Sequence, residues 1–535
     1  MQQVVLTKVC TLISSAAVVS EQSKSLTYNP TVYCYAVGLC ILRILRGYTM
    51  LYKIKKDTYI RKYGKYGYIT SVGMFNDRVV DASGSVFLSA LSYTPQTIDE
   101  LTNTIMKSFV NADKAQVTAD AKDFYDMLAE DGFLTVGETA DDILKNDIGF
   151  TYNTIEPVTI KKDFTPDKIR TVNDTQNTLD SYFLDNPQLI SFQMELTSQC
   201  NERCIHCYIP HEEKNSIMTP ELYYKVLEQL ADMGVFQLTL SGGEPMLHPN
   251  FTDFVRAAKE KNIYVAVLTN LTLLNDEILS ALKEKAVSSV QVSLYSMNAE
   301  HHDAITTIPG SFKKTVASIL KLIENDIPVH ISCPTMKENK NDFRDVLKWA
   351  NEHKIRAFTD YSIMAEYDHS TSNLTHRLSP EECGEIISDI LEGDKSYQDE
   401  VLKKNFIKQT ENYQFDAQSP FCGVGVSTCC MISNGLVYPC AGWQSYNCGD
   451  LTKQSLAEIW QSSPELEYLR KLKRGDIEKC ANCKDAAFCN PCLVRNANES
   501  PTGNMLEVND YFCQVAAVNK RIVYDFIKNH NEKQQ

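Results

Sequence analysis

Cys200-Asn201-Glu202-Arg203-Cys204-Ile205-His206-Cys207-Tyr208 is the stretch whose reading decides the rest of the chain. Its three cysteines stand in a C-x3-C-x2-C spacing directly after an apolar run, residues 190–196. Three thiolates on one short loop cannot close a tetrahedral zinc site, which takes four ligands. They do suit a 4Fe–4S cubane, holding three of its irons and leaving the fourth open.

Downstream of the loop, strand-like and helix-like segments alternate. The candidate strands are residues 191–196, 236–240, 264–268, 289–294, 329–332 and 357–361, and one intervening helix starts at Thr219-Pro220, a cap followed by a first-turn proline. Six such units predict an α/β fold, a partial (β/α)6 barrel with ligands at the carboxyl ends of its strands. The cysteine loop follows the first strand. Ser241-Gly242-Gly243-Glu244-Pro245 ends the second. Its glycines admit close backbone approach to a ligand, and Glu244 can accept hydrogen bonds from an ammonium group.

Together these motifs resemble the radical S-adenosylmethionine (SAM) enzymes over about residues 190–375. The resemblance implies that Cys200, Cys204 and Cys207 hold a 4Fe–4S cluster. Its open iron chelates the amino and carboxylate groups of SAM and passes an electron into the sulfonium, releasing a 5′-deoxyadenosyl radical. It also implies that Gly242, Gly243, Glu244 and Pro245 bind the methionine amino group, that Tyr208 is the aromatic residue after the third cysteine, and that Ser293 and Asn270, at later strand ends, contact the cofactor. An external low-potential electron donor of flavodoxin or ferredoxin type follows from the same chemistry.

The C-terminal part, residues 376–535, is cysteine-rich in the order Cys422-x12-Gly435-x4-Cys440, Cys480-x2-Cys483-x5-Cys489-x2-Cys492 and Cys513. Paired C-x2-C units alone would serve zinc equally well. The full order, with Ser455-Leu-Ala-Glu-Ile-Trp460, resembles the SPASM extension, although one residue is missing between Cys489 and Cys492. The resemblance implies two auxiliary 4Fe–4S clusters, one on Cys480, Cys483, Cys489 and Cys513, the other on Cys422, Cys440 and Cys492. One iron is then unclaimed. Either Cys429, Cys430 or Cys448 fills it, or a substrate thiolate binds it. Cys333 and Cys383 stand outside every motif and read as buried apolar residues.

Residues 50–139 read as strands, then helices, then a closing strand, a small winged-helix pattern. Asn76-Asp77 is expected as a turn, Thr97-Ile-Asp-Glu100 as a capping box, and Phe133-Leu-Thr-Val136 as the last strand. The final helix carries Asp120, Asp123, Asp126 and Glu130, which repel phosphate. Lys53, Lys55, Lys56, Arg61, Lys62 and Lys65 make the early strands basic, as an edge that captures an acidic peptide by strand addition would be. Asp81-Ala-Ser-Gly-Ser-Val-Phe-Leu and Phe124-Tyr-Asp-Met-Leu-Ala-Glu-Asp-Gly-Phe-Leu resemble the peptide-recognition element of the pyrroloquinoline-quinone peptide chaperone. That implies a grip on the leader of a precursor peptide. Residues 140–189 read as a linker.

Residues 1–49 contain a signal-like core at 9–19 and an apolar run at 32–42 that stops at Arg43, too short to span a bilayer. Met50 is therefore expected as the initiator, with the preceding residues spurious or disordered. A net charge of −15 speaks against nucleic acid as a partner. Thiols clustered at metal-ligand spacings place the chain in a reducing cytoplasm, with no membrane role. The resulting expectation is a peptide maturase that forms intramolecular cysteine thioethers. Carbon–carbon crosslinking, a sulfatase-activating maturase and a metal-binding winged-helix regulator are the alternatives. No side chain stands out as a general base.

Overall fold

A computed structural model describes residues 50–72, 76–154, 174–285, 288–414, 417–418 and 420–534. The expectations for residues 1–49 lie outside them. Four strands open the described chain: β1 (Leu51–Ile54), β2 (Thr58–Tyr63), β3 (Tyr66–Ser71) and β4 (Asn76–Val80). With β5 (Gln96–Thr97) and β6 (Leu134–Gly137) they form two antiparallel sheets, ordered β5-β1-β6 and β2-β3-β4. Asn76 and Asp77, expected as a turn, instead pair with Ser71 and Thr70 inside β4. The Asn76 amide donates to the carbonyl of Asp131, a tertiary bond that outweighs the poor strand propensity of these residues.

Helices Ala82–Ala90, Ile98–Ile105 and Lys114–Glu130 pack on these strands around Tyr52, Leu88, Leu101, Tyr125, Leu128 and Phe133. The Thr97–Glu100 capping box forms as expected. This core is separate from that of the barrel.

Two of the six residues of the basic edge expected on the early strands are spent within the protein. Lys53 pairs with Asp147. Arg61 reaches the floor of the barrel, donating to the carbonyls of Val235 (3.2 Å) and Asn262 (2.6 Å). Tyr59 packs edge-on against Phe236 and Tyr264 beside it. Charged donors to buried carbonyls contribute roughly 1.5–3 kcal/mol each, so a side chain predicted for a ligand is committed to holding two parts of the protein together. Lys56, Lys62 and Lys65 stay exposed.

The central sheet begins with six parallel strands: β7 (Ser191–Thr197), β8 (Gln237–Gly242), β9 (Tyr264–Thr269), β10 (Ser289–Ser293), β11 (Val329–Pro334) and β12 (Arg356–Asp360). Fully covered parallel strands read as continuous apolar runs. β7 alternates instead. Phe192, Met194 and Leu196 enter the helix-side core, while Gln193 and Glu195 occupy the opposite, inner face. The Gln193 amide donates to Ser241 of β8 at 2.6 Å, so that inner face is polar.

Helices Pro220–Asp232, Phe251–Glu260, Asp276–Lys283, Ser311–Glu324 and Phe343–Glu352 cover the outer face, the first opened by Thr219 and Pro220 as expected. The sheet then continues on the other side of β7 through β13 (Thr428–Met431), β14 (Leu436–Tyr438) and β15 (Gly449–Asp450), giving the order β12-β11-β10-β9-β8-β7-β13-β14-β15. The cysteine-rich region is thus built directly onto the barrel wall. Among the described residues, no helix is long and apolar enough to cross a membrane.

Candidate functional site

The cysteine loop leaves β7 at its carboxyl end and is braced from four directions. The turn after β8 comes first: Gly243 N–H donates to Thr197 O (2.8 Å) and Glu244 N–H to Gln199 O (2.9 Å). Gly242 has φ +129°, and a Cβ there would lie 2.1 Å from Thr197 O. One on Gly243 would lie 2.3 Å from Gln199 O. Both glycines are needed for the approach of two protein backbones, a tighter demand than the ligand approach read from the sequence.

Glu244 is fully buried. It accepts from Met246 N–H (3.0 Å), Thr269 Oγ1 (2.7 Å) and Asn270 N–H (2.8 Å), which ties β8 to β9. Burial nevertheless pushes its carboxyl up to about 7. Pro245 is buried in the single turn that follows. Asn270 reaches back to the cysteine loop, its Nδ2 donating to Asn201 Oδ1 at 2.9 Å.

The third brace is β10 and the helix after it. The Tyr295 hydroxyl lies 3.8 Å from Cys204 Sγ, and Ser293, at the end of β10, hydrogen-bonds the same tyrosine. Arg203 and Ile205 donate through their N–H groups to Thr306 O and Ile305 O. The fourth brace follows the barrel: Asn373 donates to the carbonyls of His206 and Cys207, and Tyr367 N–H to that of Tyr208.

The three thiols sit on this frame, half-buried. Lys214 Nζ lies 3.4 Å from Cys207 Sγ, and Cys204 donates to Glu202 at 3.6 Å. Burial pushes Cys200 up to about 11 and Cys204 well above the ordinary thiol value. Iron binding here therefore releases protons.

Behind the barrel, thiols of the cysteine-rich region come together. Cys480, Cys483, Cys489 and Cys513 line one cavity of about 150 Å3, with Cys492 on its wall. Cys422 and Cys492 are the two thiols acting most strongly on Cys440. Burial raises all three of Cys422, Cys440 and Cys489, the last two to about 11. Among the described residues no three His, Cys, Asp or Glu side chains converge on a point that would hold a single metal ion. A cubane asks for a wider spacing, because each thiolate binds a different iron; the two thiol sets and the roomy cavity fit that larger group.

Cys333 and Cys383 are buried, and each hydrogen-bonds locally, to Tyr295 O and with the Tyr511 hydroxyl, as expected of apolar fillers. Sequence reasoning passed over Asn201, Tyr295, Lys214 and Asn373. It also passed over Glu195, a buried carboxylate on the inner face of β7 that takes one hydrogen bond, from Gln444 Nε2 at 3.0 Å. Burial raises Glu195 to about 7. Its alternation with Phe192 and Met194 was the available signal.

Comparison with known proteins agrees with this layout. Residues 194–350 match the radical SAM superfamily, and residues 422–484 match SPASM, an iron–sulfur cluster-binding domain. The chain therefore contains a radical SAM domain, which binds SAM and a 4Fe–4S cluster, and a SPASM domain, which binds auxiliary 4Fe–4S clusters. It is 27% identical over 351 residues to the AdoMet-dependent heme synthase of Methanosarcina barkeri, covering 61% of this chain and 96% of that one. It is 27% identical over 320 residues to the antilisterial bacteriocin subtilosin biosynthesis protein AlbA of Bacillus subtilis, covering 59% and 69%. Streptococcus suis SuiB bound to its precursor peptide SuiA has the same fold, with a TM-score of 0.54 at 14% identity over 86% of this chain and 99% of that one.

Proposed function

We propose that the protein matures a ribosomally made precursor peptide, gripping its leader with the unit at residues 50–139 and forming intramolecular cysteine thioethers in the core. The observation that carries this reading is the N-terminal unit itself. It has its own apolar core, adds no strand to the barrel sheet, and is fastened to the barrel by Arg61, Tyr59 and Tyr63. Among the relatives, AlbA and SkfB of Bacillus subtilis are named for subtilosin biosynthesis and for sporulation killing factor maturation, and they match 59% and 31% of this chain.

In this reading Cys200, Cys204 and Cys207 hold the cluster that, with SAM bound, supplies a 5′-deoxyadenosyl radical. Gly242, Gly243, Glu244, Pro245 and Asn270 form the shelf for the methionine end, with Ser293 and Tyr208 lining the same mouth. Cys480, Cys483, Cys489 and Cys513 hold one auxiliary cluster, and Cys422, Cys440 and Cys492 the other. The peptide lies over the polar inner face of β7 and β8, between radical source and electron sink. A low-potential flavodoxin or ferredoxin supplies the electrons.

The test is anaerobic incubation of the reconstituted protein, SAM and reductant with a candidate cysteine-containing precursor peptide that carries its leader. A product lighter by two hydrogens per crosslink, with its thiols no longer alkylatable, is expected. Loss of two hydrogens with every thiol still alkylatable would replace thioether by carbon–carbon crosslinking. An aldehyde product would indicate a sulfatase-activating type of maturase.

A further inference from the structure

The SPASM cysteines of this chain number seven, and two cubanes have eight irons to ligate. Three spare thiols lie close by: Cys429 and Cys430 on β13, and Cys448 before β15. The strand registers separate them. β13 runs parallel to β7 with Cys429 beside Phe192 and Cys430 beside Gln193. Successive residues of a strand face opposite sides. Cys429 therefore shares the helix-side face of Phe192 and joins the apolar core there, as does Cys448. Each of these two thiols is already used, Cys429 Sγ donating to Tyr438 O (3.0 Å) and Cys448 Sγ to Tyr446 O (3.7 Å).

Cys430 faces the other way, onto the polar inner face that carries Gln193 and Glu195. It is 2% exposed, stands outside the apolar core, and among the described residues its thiol has no hydrogen-bond partner. The titratable groups acting on it are Cys429, Glu195, Cys440 and Cys448. In the hairpin, Cys430 pairs with Tyr438, so Cys440 stands two residues past that partner. β14 ends at Tyr438, so Cys440 sits on the bend just past the strand end, on the side of the hairpin from which it acts on Cys430. Cys440 is in turn the thiol on which Cys422 and Cys492 act.

We propose that Cys430 is the fourth thiolate of the cluster site formed by Cys422, Cys440 and Cys492. The inference rests on the two-cluster reading above and deepens it. A closed coordination shell leaves no iron for a substrate thiolate, so the peptide approaches this cluster without binding it, and any electron it gives up crosses to the cluster through space.

The test uses the full chain with Cys200, Cys204 and Cys207 replaced by alanine, so that only auxiliary clusters contribute iron. After anaerobic reconstitution, iron and sulfide are counted and the dithionite-reduced protein is examined by EPR, with and without cyanide as a probe for an open iron. Cys430→Ala is expected to lose about half of the auxiliary iron, or to keep it with a new cyanide-responsive signal. Cys430→Ser, which retains an oxygen donor, should keep the iron with a shifted spectrum. Cys429→Ala and Cys448→Ala should match the parent. A Cys430→Ala protein identical to the parent in iron and spectrum, or a parent that itself responds to cyanide, would overturn the proposal. A parent with no auxiliary iron at all would instead remove the two-cluster reading, and this assignment with it.

Discussion

In the proposed reading, the barrel loop and the SPASM thiols hold the same kind of group by opposite means. At the barrel loop, three cysteines within eight residues are immobilised by backbone bonds from the loop and its stem to Gly243, Glu244, Ile305 and Thr306 and by side chains of Asn270, Tyr295 and Asn373. Behind the barrel, Cys480, Cys483, Cys489 and Cys513 are separated by up to 33 positions and are brought together around a single cavity. The first site is a preorganised frame that presents three ligands and leaves room for a fourth partner. The second encloses its group. A cluster that must bind SAM needs the frame; one that only moves electrons needs the enclosure.

The contrast can be broken most severely at the loop itself. Replacing Cys200, Cys204 and Cys207 with alanine should abolish 5′-deoxyadenosine formation while leaving auxiliary iron in place, as iron analysis would show. Gly243→Ala comes next. The added Cβ meets Gln199 O at 2.3 Å, so the β8 turn must withdraw from the loop, and SAM cleavage should fall by roughly a hundredfold or more, a displacement of about an ångström at a positioned reaction. Auxiliary iron should again be unchanged.

Arg61→Ala tests a different joint. It removes two hydrogen bonds to barrel-floor carbonyls and should loosen the N-terminal unit by about 3–6 kcal/mol, seen as earlier proteolysis of that unit in limited digestion. SAM cleavage without peptide should persist.

The smallest effect is expected at Glu195. Burial holds its folded-state value near 7, above the ordinary carboxyl value of 4.5. The folded chain then binds this proton more tightly than the unfolded one, so stability is lost as pH rises from about 4.5 to 7. Glu195→Gln should be more stable than the parent at pH 8, by up to about 3 kcal/mol, and the advantage should vanish below pH 4.5, as denaturant titrations at the two pH values would read.

Much of this was legible in the residues. All six barrel strands were readable, since β-branched and apolar runs bounded by glycines, caps and charged helix faces leave little choice of element. The loop cysteines, Gly242 and Gly243 were equally plain. What stayed hidden depended on which surfaces meet. Nothing local distinguishes Arg61, buried against Asn262, from Lys62 beside it, which is exposed. Asn76 looks like a turn until Asp131 is brought to it. Asn373 braces a loop 166 positions away and carries no motif. Cys429, Cys430 and Cys448 were interchangeable as letters; the β7–β13 register separates Cys429 from Cys430, and packing gives Cys448 to the core.

The central claim is a barrel that makes radicals backed by a SPASM domain that holds two further clusters. Its most direct test is anaerobic reconstitution of the chain, with iron and sulfide counted and SAM cleavage assayed in the same sample. About twelve irons, with 5′-deoxyadenosine formed by the intact loop and by none of its alanine variants, is the predicted result. About four irons, or zinc in their place with no deoxyadenosine, would contradict it.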